Sequence, residues 1–168
     1  MLYEFDIRDY VADRKWIWLL VTLLVLALDQ ATKYLVVSHL ALFQTIHLLP
    51  VLNITRVQNT GAAFSLLSTA SGWQRWFFVV LALAVSGTLL VWIGRAYYYQ
   101  TGLLAALSLV LAGALGNAID RIARGYVVDF IDVHYATLHW PAFNVADSAI
   151  TLGVVLFVLQ ALTGRDRE

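Results

Sequence analysis

Five aspartates, Asp29, Asp120, Asp129, Asp132 and Asp147, fall at the edges of long apolar segments, while the remaining acidic residues lie in the two tails. A carboxylate close to hydrocarbon costs free energy unless it is paired, protonated or lining a wet cavity, so this grouping points to chemistry before packing. Asp129 sits in Val127-Val128-Asp129-Phe130-Ile131, with no basic residue nearer in sequence than Arg124. Asp147 sits in Phe143-Asn144-Val145-Ala146-Asp147-Ser148, where Asn144 reads as a helix N-cap and Asp147 as a first-turn residue. A capping box or a charge complementing the helix dipole would explain Asp147 without function. The pair changes the weighing, because the connection between the two does not cross a membrane and both carboxyls must share one face. Two carboxyls brought together do not both ionise easily, so one holds a proton while the other, here Asp147 aided by a helix N-terminus, stays charged. Such a pair can activate water against an amide carbonyl without a metal. Paired aspartates also occur in membrane transporters, so a proton relay through Asp29, Asp120, Asp129 and Asp147 is the rival reading.

Other polar groups accompany the pair. Asp29 and Lys33 stand at i and i+4, the order that favours an intrahelical ion pair, with Lys33 able to snorkel to the surface. The run Ala112-Gly113-Ala114-Leu115-Gly116-Asn117-Ala118-Ile119-Asp120-Arg121 contains a small-xxx-small pattern at Ala112 and Gly116 that suits close helix packing. Packing does not explain Asn117, Asp120 and Arg121 within about one turn. Asp120 reads equally as a salt-bridge partner of an arginine or as a site residue, and Asn117 and Arg121 are expected to offer hydrogen bonds to a backbone carbonyl of a substrate. Asn59-Thr60-Gly61-Ala62-Ala63-Phe64-Ser65 reads as a glycine turn in which Asn59 bonds its own backbone, or as an amide that holds an extended peptide in register.

The elements that must position these groups follow from hydropathy. Of 168 residues 61% are hydrophobic and 13% charged, well above the roughly 45–50% apolar content of soluble domains. Four segments are long enough to cross hydrocarbon, at about 16–35, 73–93, 102–119 and 146–162. Trp73 and Trp76 at one end of the second, and Trp92, Tyr97, Tyr98 and Tyr99 at the other, form two interfacial belts roughly 28 Å apart at ~1.5 Å per residue. Four crossings put both termini on one side and the 36–72 and 120–145 connections on the other. Arg8, Arg14, Lys15, Arg95, Arg165 and Arg167 face Lys33, Arg56, Arg75, Arg121 and Arg124 across the membrane; Arg14 and Lys15, ahead of the first span, favour cytoplasmic tails. Ile46 to Val57, rich in β-branched residues, is expected to form strands lying on the membrane surface. The 129–140 stretch, with His134 and His139 among apolar residues, is expected as an interfacial loop or helix. The fold class is thus an all-α membrane protein, one domain of four transmembrane helices with a small extracytoplasmic β-like platform.

Several classes fall away. A formal net charge of zero leaves no basic surface for nucleic acid. Absence of cysteine removes disulfides, thiolate metal sites and a cysteine nucleophile. His39, His47, His134 and His139 include no His-Glu-x-x-His arrangement and read as surface or interfacial histidines, so neither a metal nor another cofactor is expected. Ser65 or Ser148 with Lys33 would be a conceivable nucleophile pair, but no nucleophile-elbow turn is present.

Five stretches taken together, Asp29-Gln30-Ala31-Thr32-Lys33, Asn59 to Ser65, Gly113 to Arg121, Val127 to Ile131 and Phe143 to Ser148, resemble the lipoprotein signal peptidases, also called signal peptidase II. They span residues 29–148 in the family's order. The resemblance implies a bacterial inner-membrane aspartic endopeptidase that cuts the signal peptide from prolipoproteins on the amino side of a diacylglyceryl-modified cysteine. It implies Asp129 and Asp147 as the catalytic pair, with Asn59, Gly61, Asn117, Arg121 and Asn144 around substrate or pair, and Asp29, Lys33 and Asp120 in support. Prolipoprotein substrates, membrane lipid and globomycin-type cyclic peptide inhibitors are the partners expected, with a monomeric enzyme. Ala112 stands where the family often has glycine, and the tail before Trp16 matches no motif.

Overall fold

Four long helices carry the chain back and forth, and a four-stranded sheet caps one end of the bundle. The computed structural model describes residues 16–61, 72–97 and 99–163. The expectations placed on Ala62, Ala63, Phe64, Ser65, Tyr98 and the charged tails lie outside these residues. Helix α1 spans Trp16–His39, strands β1 and β2 span Thr45–Leu49 and Leu52–Asn59, and helices α2 and α3 span Trp73–Arg95 and Thr101–Arg124. Strands β3 and β4 span Val127–Tyr135 and Leu138–His139, and helix α4 spans Val145–Thr163. All four helices are long and apolar enough to cross a membrane. Their outer faces expose Leu23, Leu24, Val80, Leu83, Leu152 and Val158, side chains that hydrocarbon accepts without cost.

Helix α3 is the central one, packing against α1, α2 and α4. Its small residues let the neighbours in. A Cβ at Gly113 would lie 2.3 Å from the Ala146 carbonyl oxygen, and one at Gly153 of α4 would lie 2.8 Å from the Ala106 carbonyl oxygen. Leu104, Leu107 and Leu111 fill the space against Leu89 and Ile93 of α2. Helix–helix packing therefore accounts for Gly113, whereas Gly116 has another duty described below.

Two helices outrun the boundaries that hydropathy sets. Helix α1 continues to His39 rather than stopping near 35, and α3 continues to Arg124 rather than 119. Hydropathy marks immersion in hydrocarbon, while a helix persists as long as its side chains find partners. Gly125 ends α3 with φ 86° and donates its N–H to the Arg121 carbonyl at 3.1 Å, a left-handed cap that suits glycine. A glycine following arginines is the stop signal that a hydropathy boundary overlooks.

The sheet runs in the order β1-β2-β3-β4, all antiparallel. The pairing of β2 with β3 joins the two connections expected on one side of the membrane. Most of the 129–140 stretch is strand rather than an interfacial loop or helix, since β3 pairs with β2 from Val127 to Val133. Val127, Val128, Asp129 and Phe130 are buried in succession, which leaves no apolar and polar alternation to announce a strand. Val128 and Phe130 pack with Val36 and Leu40 of α1. Past the hairpin the chain returns to β3, where the N–H groups of Phe130 and Ile131 both reach the Phe143 carbonyl, at 3.0 and 2.8 Å. That return delivers the start of α4 to the strand holding Asp129.

Candidate active site

Beneath the sheet, between α3 and α4, lies a cavity of about 1120 Å³ lined by Asn59, Asn117, Arg121, Asp129 and Asp147 on its polar side and by Phe143, Ile150, Leu152 and Val155 on its apolar side. Asp129 comes from β3 and Asp147 from the first turn of α4. Tertiary structure thus brings the expected pair to one chamber.

Both carboxylates are held by side-chain amides. Asp129 accepts hydrogen bonds from Asn144 Nδ2 at 2.7 Å on Oδ1 and from Asn59 Nδ2 at 3.0 Å on Oδ2. Asp147 accepts Asn117 Nδ2 at 2.8 Å on Oδ1 and the Asn144 backbone N–H at 3.3 Å on Oδ2. The Asp147 N–H in turn donates to Asn144 Oδ1 at 2.9 Å, so the capping box read from the sequence exists. Cap and site coincide: one asparagine closes the helix and touches both acids. Asn59 likewise accepts the Gly61 N–H at 3.0 Å through Oδ1 while its amide nitrogen serves Asp129, so its turn reading holds as well. Burial, reinforced by the neighbouring Asp147 charge, pushes the Asp129 carboxyl up to about 7, against the pull of the two amides and of Lys33.

A second layer lies deeper. Lys33, Asp29 and Asp120 expose no surface. Lys33 Nζ donates to Asp29 Oδ2 at 2.9 Å, Asp120 Oδ2 at 3.1 Å and Asn117 Oδ1 at 3.0 Å. It does not snorkel, because three acceptors at full bonding distance satisfy an ammonium better inside than a long reach to the interface. Asp29 lies ten residues before the end of α1, deeper still than its place about a turn and a half inside the segment end that hydropathy sets. Its Oδ1 accepts the Ala146 N–H at 2.9 Å, capping α4 from another helix. Gly116 makes room for it, since a Cβ there would stand 2.7 Å from Asp29 Oδ2. Asp120 accepts the Val128 N–H at 3.1 Å and pairs with Arg124, fixing the strand residue next to Asp129. Its arginine partner is Arg124, one turn on, rather than adjacent Arg121.

Arg121 instead points into the chamber, where its charge interacts with Asp147 and Asp129. Its Nη2 donates to the Gly61 carbonyl at 2.8 Å and its guanidinium lies 4.9 Å over the Phe78 ring, while Nε has no partner. Gln30 and Arg124 join the network without having been singled out in the sequence. Gln30 Nε2 reaches Asp29 at 3.1 Å, the Gly116 carbonyl at 3.2 Å and Asp120 at 3.4 Å. The i, i+4 spacing of Asp120 and Arg124 was the available signal; Gln30 had none, because two of its three partners, Gly116 and Asp120, come from another helix.

Asp132 parts from the other four aspartates. It accepts Asn53 Nδ2 at 2.9 Å, meets His139 Nδ1 at 2.8 Å and does not line the chamber. Three positions along a strand reverse the face on which a side chain stands. Desolvation opposes its ionisation, but the Asn53 and His139 hydrogen bonds prevail and hold its carboxyl below the usual range. His134 stacks on His139 with centroids 5.0 Å apart, and both its ring nitrogens are buried without a partner, unlike a surface histidine. Ser148 donates to the Asn144 carbonyl at 2.9 Å and makes no nucleophile pair with Lys33. Among the described residues no group of three or more histidines, aspartates or glutamates is arranged to hold a metal.

A family model described as signal peptidase (SPase) II matches residues 21–163. The chain belongs to the signal peptidase II family. Its relatives include the lipoprotein signal peptidase of Pseudoalteromonas translucida, 54% identical over 89% of each chain, and that of Pseudomonas fluorescens, 53% identical over 86% of this chain and 85% of the other. Two solved structures described as bacterial membrane enzymes share the fold. One superposes with a TM-score of 0.80 at 34% identity over 90% of this chain and 91% of the other; the second has a TM-score of 0.75 at 35% identity over 87% and 92%. Membership in a signal peptidase family, with four apolar helices, makes this chain a bacterial membrane peptidase, and the architecture of helices plus small sheet is the one those structures show.

Proposed function

We propose that this signal peptidase II is an aspartic endopeptidase that cleaves prolipoproteins on the amino side of a diacylglyceryl-modified cysteine. The observation that carries the reading is the pair of carboxyls facing one chamber, each held by amide donors, with burial pushing Asp129 up to about 7. Asp147, in the positive end of a helix and near Arg121, carries the negative charge and takes a proton from water. The water oxygen bonds to the scissile carbonyl carbon. Asp129 holds its proton against the developing oxyanion and then gives it to the leaving nitrogen as the C–N bond breaks. One water is consumed, an acid and an amine leave, and the pair still holds a single proton. The apolar wall of Ile150, Leu152 and Val155 on α4 gives acyl chains a continuous path from hydrocarbon to the aspartates. Each buried CH₂ is worth about 0.8 kcal/mol, so the lipid itself positions the bond.

The decisive test uses purified full-length protein in detergent with a lipidated preprolipoprotein. Asp129→Asn and Asp147→Asn are each expected to cut kcat by at least about 10²-fold with folding intact, as expected for removal of a general acid or base. Full cleavage by either variant would refute the pair. Loss of proton flux in proteoliposomes, without any peptide cleavage by the unaltered protein, would point to the relay instead.

A further inference from the structure

A side-chain amide can face a carboxylate with its NH₂ or, turned over, with its oxygen, and only the first orientation bonds an ionised acid. What decides the orientation is the group on the far side. For Asn144 and Asn59 it is a backbone N–H, that of Asp147 and that of Gly61. For Asn117 it is chiefly Lys33, whose ammonium donates to Oδ1 at 3.0 Å and has no capacity to accept, with a longer bond from Asn144 Nδ2 at 3.4 Å. The remaining Lys33 protons are committed to Asp29 and Asp120, so the ammonium is saturated and fixed within a fully buried pocket. Asn117 Oδ1 therefore points to Lys33 and its Nδ2 to Asp147 at 2.8 Å.

We infer that Lys33 is a positioning residue that locks the Asn117 amide with its NH₂ toward Asp147, and thereby keeps Asp147 the member of the pair that accepts a proton from water. The inference rests on the catalytic pair proposed above. Without Lys33 the Asn117 amide can turn and present its oxygen to Asp147 Oδ1. Two oxygens at that separation are compatible only if a proton lies between them, so the turned amide favours a protonated Asp147 that cannot act as a base. The charged groups that act on Asp147 are Asp29 and Lys33 from α1, Arg121 from α3 and Asp129 from β3, with Asp120 behind them, paired to Lys33 and Arg124.

Removing Lys33 alone would leave Asp29 uncompensated and endanger folding. The comparison is Asp29→Asn, which keeps the ammonium, against Asp29→Asn/Lys33→Met, which has the net charge of the unaltered protein. In both, residue 29 retains an oxygen for the Ala146 N–H, and the second variant loses a lysine donor rather than a cap. Relative to Asp29→Asn, the double variant is expected to lose at least about tenfold in kcat with KM within about twofold, and its acid limb in the kcat/KM profile is expected to move up by about one pH unit. A readout independent of turnover is the side-chain amide signal of Asn117 in nitrogen-15 labelled protein. The proton bonded to Asp147 is expected far downfield in Asp29→Asn and shifted upfield in the double variant. Equal Asn117 signals in the two variants would overturn the lock whatever the pH profile, because the Lys33 charge acting directly on Asp147 also moves the acid limb. A failure of the pair itself is told apart by Asp147→Asn cleaving normally, which leaves the comparison of Asn117 signals untouched.

Discussion

Asp129 carries the largest consequence at the scale of single residues. An ordinary aspartate is ionised above about pH 4, whereas burial and the Asp147 charge keep Asp129 protonated up to about 7. In the proposed mechanism the proton for the leaving nitrogen is therefore present below that value and lost above it. Cleavage by the unaltered enzyme should decline as pH rises through about 7, a limb measurable as kcat/KM against pH. A rate still rising at pH 9 would contradict the assignment of Asp129 as the acid. The exceptional setting of this residue was legible early, because an aspartate flanked by Val127, Val128, Phe130 and Ile131 has no local partner. Its neighbours were named only through the family resemblance and not by local pattern, since Asn59, Asn144 and Lys33 arrive from three other places in the chain.

Elements place those residues through close approach and capping. Helix α4 starts where Phe143 pairs with β3, and its first turn is closed by Asn144 within the chain and by Asp29 from α1. Contact between α3 and α4 depends on Gly113, where an added methyl would strike the Ala146 carbonyl, one residue from Asp147. Gly113→Ala should lower thermal stability by about 1–3 kcal/mol, the usual cost of overpacking, and should reduce activity by shifting the start of α4. Gly94→Ala on α2, where a Cβ meets nothing within 4 Å, should instead be neutral or stabilising by up to about 1 kcal/mol. Tryptophan fluorescence during thermal unfolding in detergent compares the two. The small-residue pattern around Ala112 and Gly116 announced a packed helix. It did not reveal that Gly116 seats a carboxylate, since the partner is 87 positions away in sequence.

The whole molecule sets the chamber against one membrane face, with the sheet built from both connections on that side. The sequence expectation of cytoplasmic tails predicts that the sheet and chamber face outward. The chain has no cysteine, so single introduced thiols report topology cleanly. His47→Cys on the sheet should react with a membrane-impermeant maleimide in intact spheroplasts, and Thr163→Cys at the end of α4 only after permeabilisation. The reverse pattern would invert the orientation. Sequence alone determined the number of crossings, the strands of the first connection and the identity of the exceptional acids, because hydropathy, β-branching and the cost of charge in hydrocarbon are properties of local composition. Tertiary structure alone decided the true ends of α1 and α3, the exclusion of Asp132 from the chamber, the inward turn of Lys33 and the capping of α4 by Asp29. Each depends on a polar partner supplied by a distant segment, and a buried charge adopts whichever conformation brings it the most hydrogen bonds, a choice that no local pattern encodes.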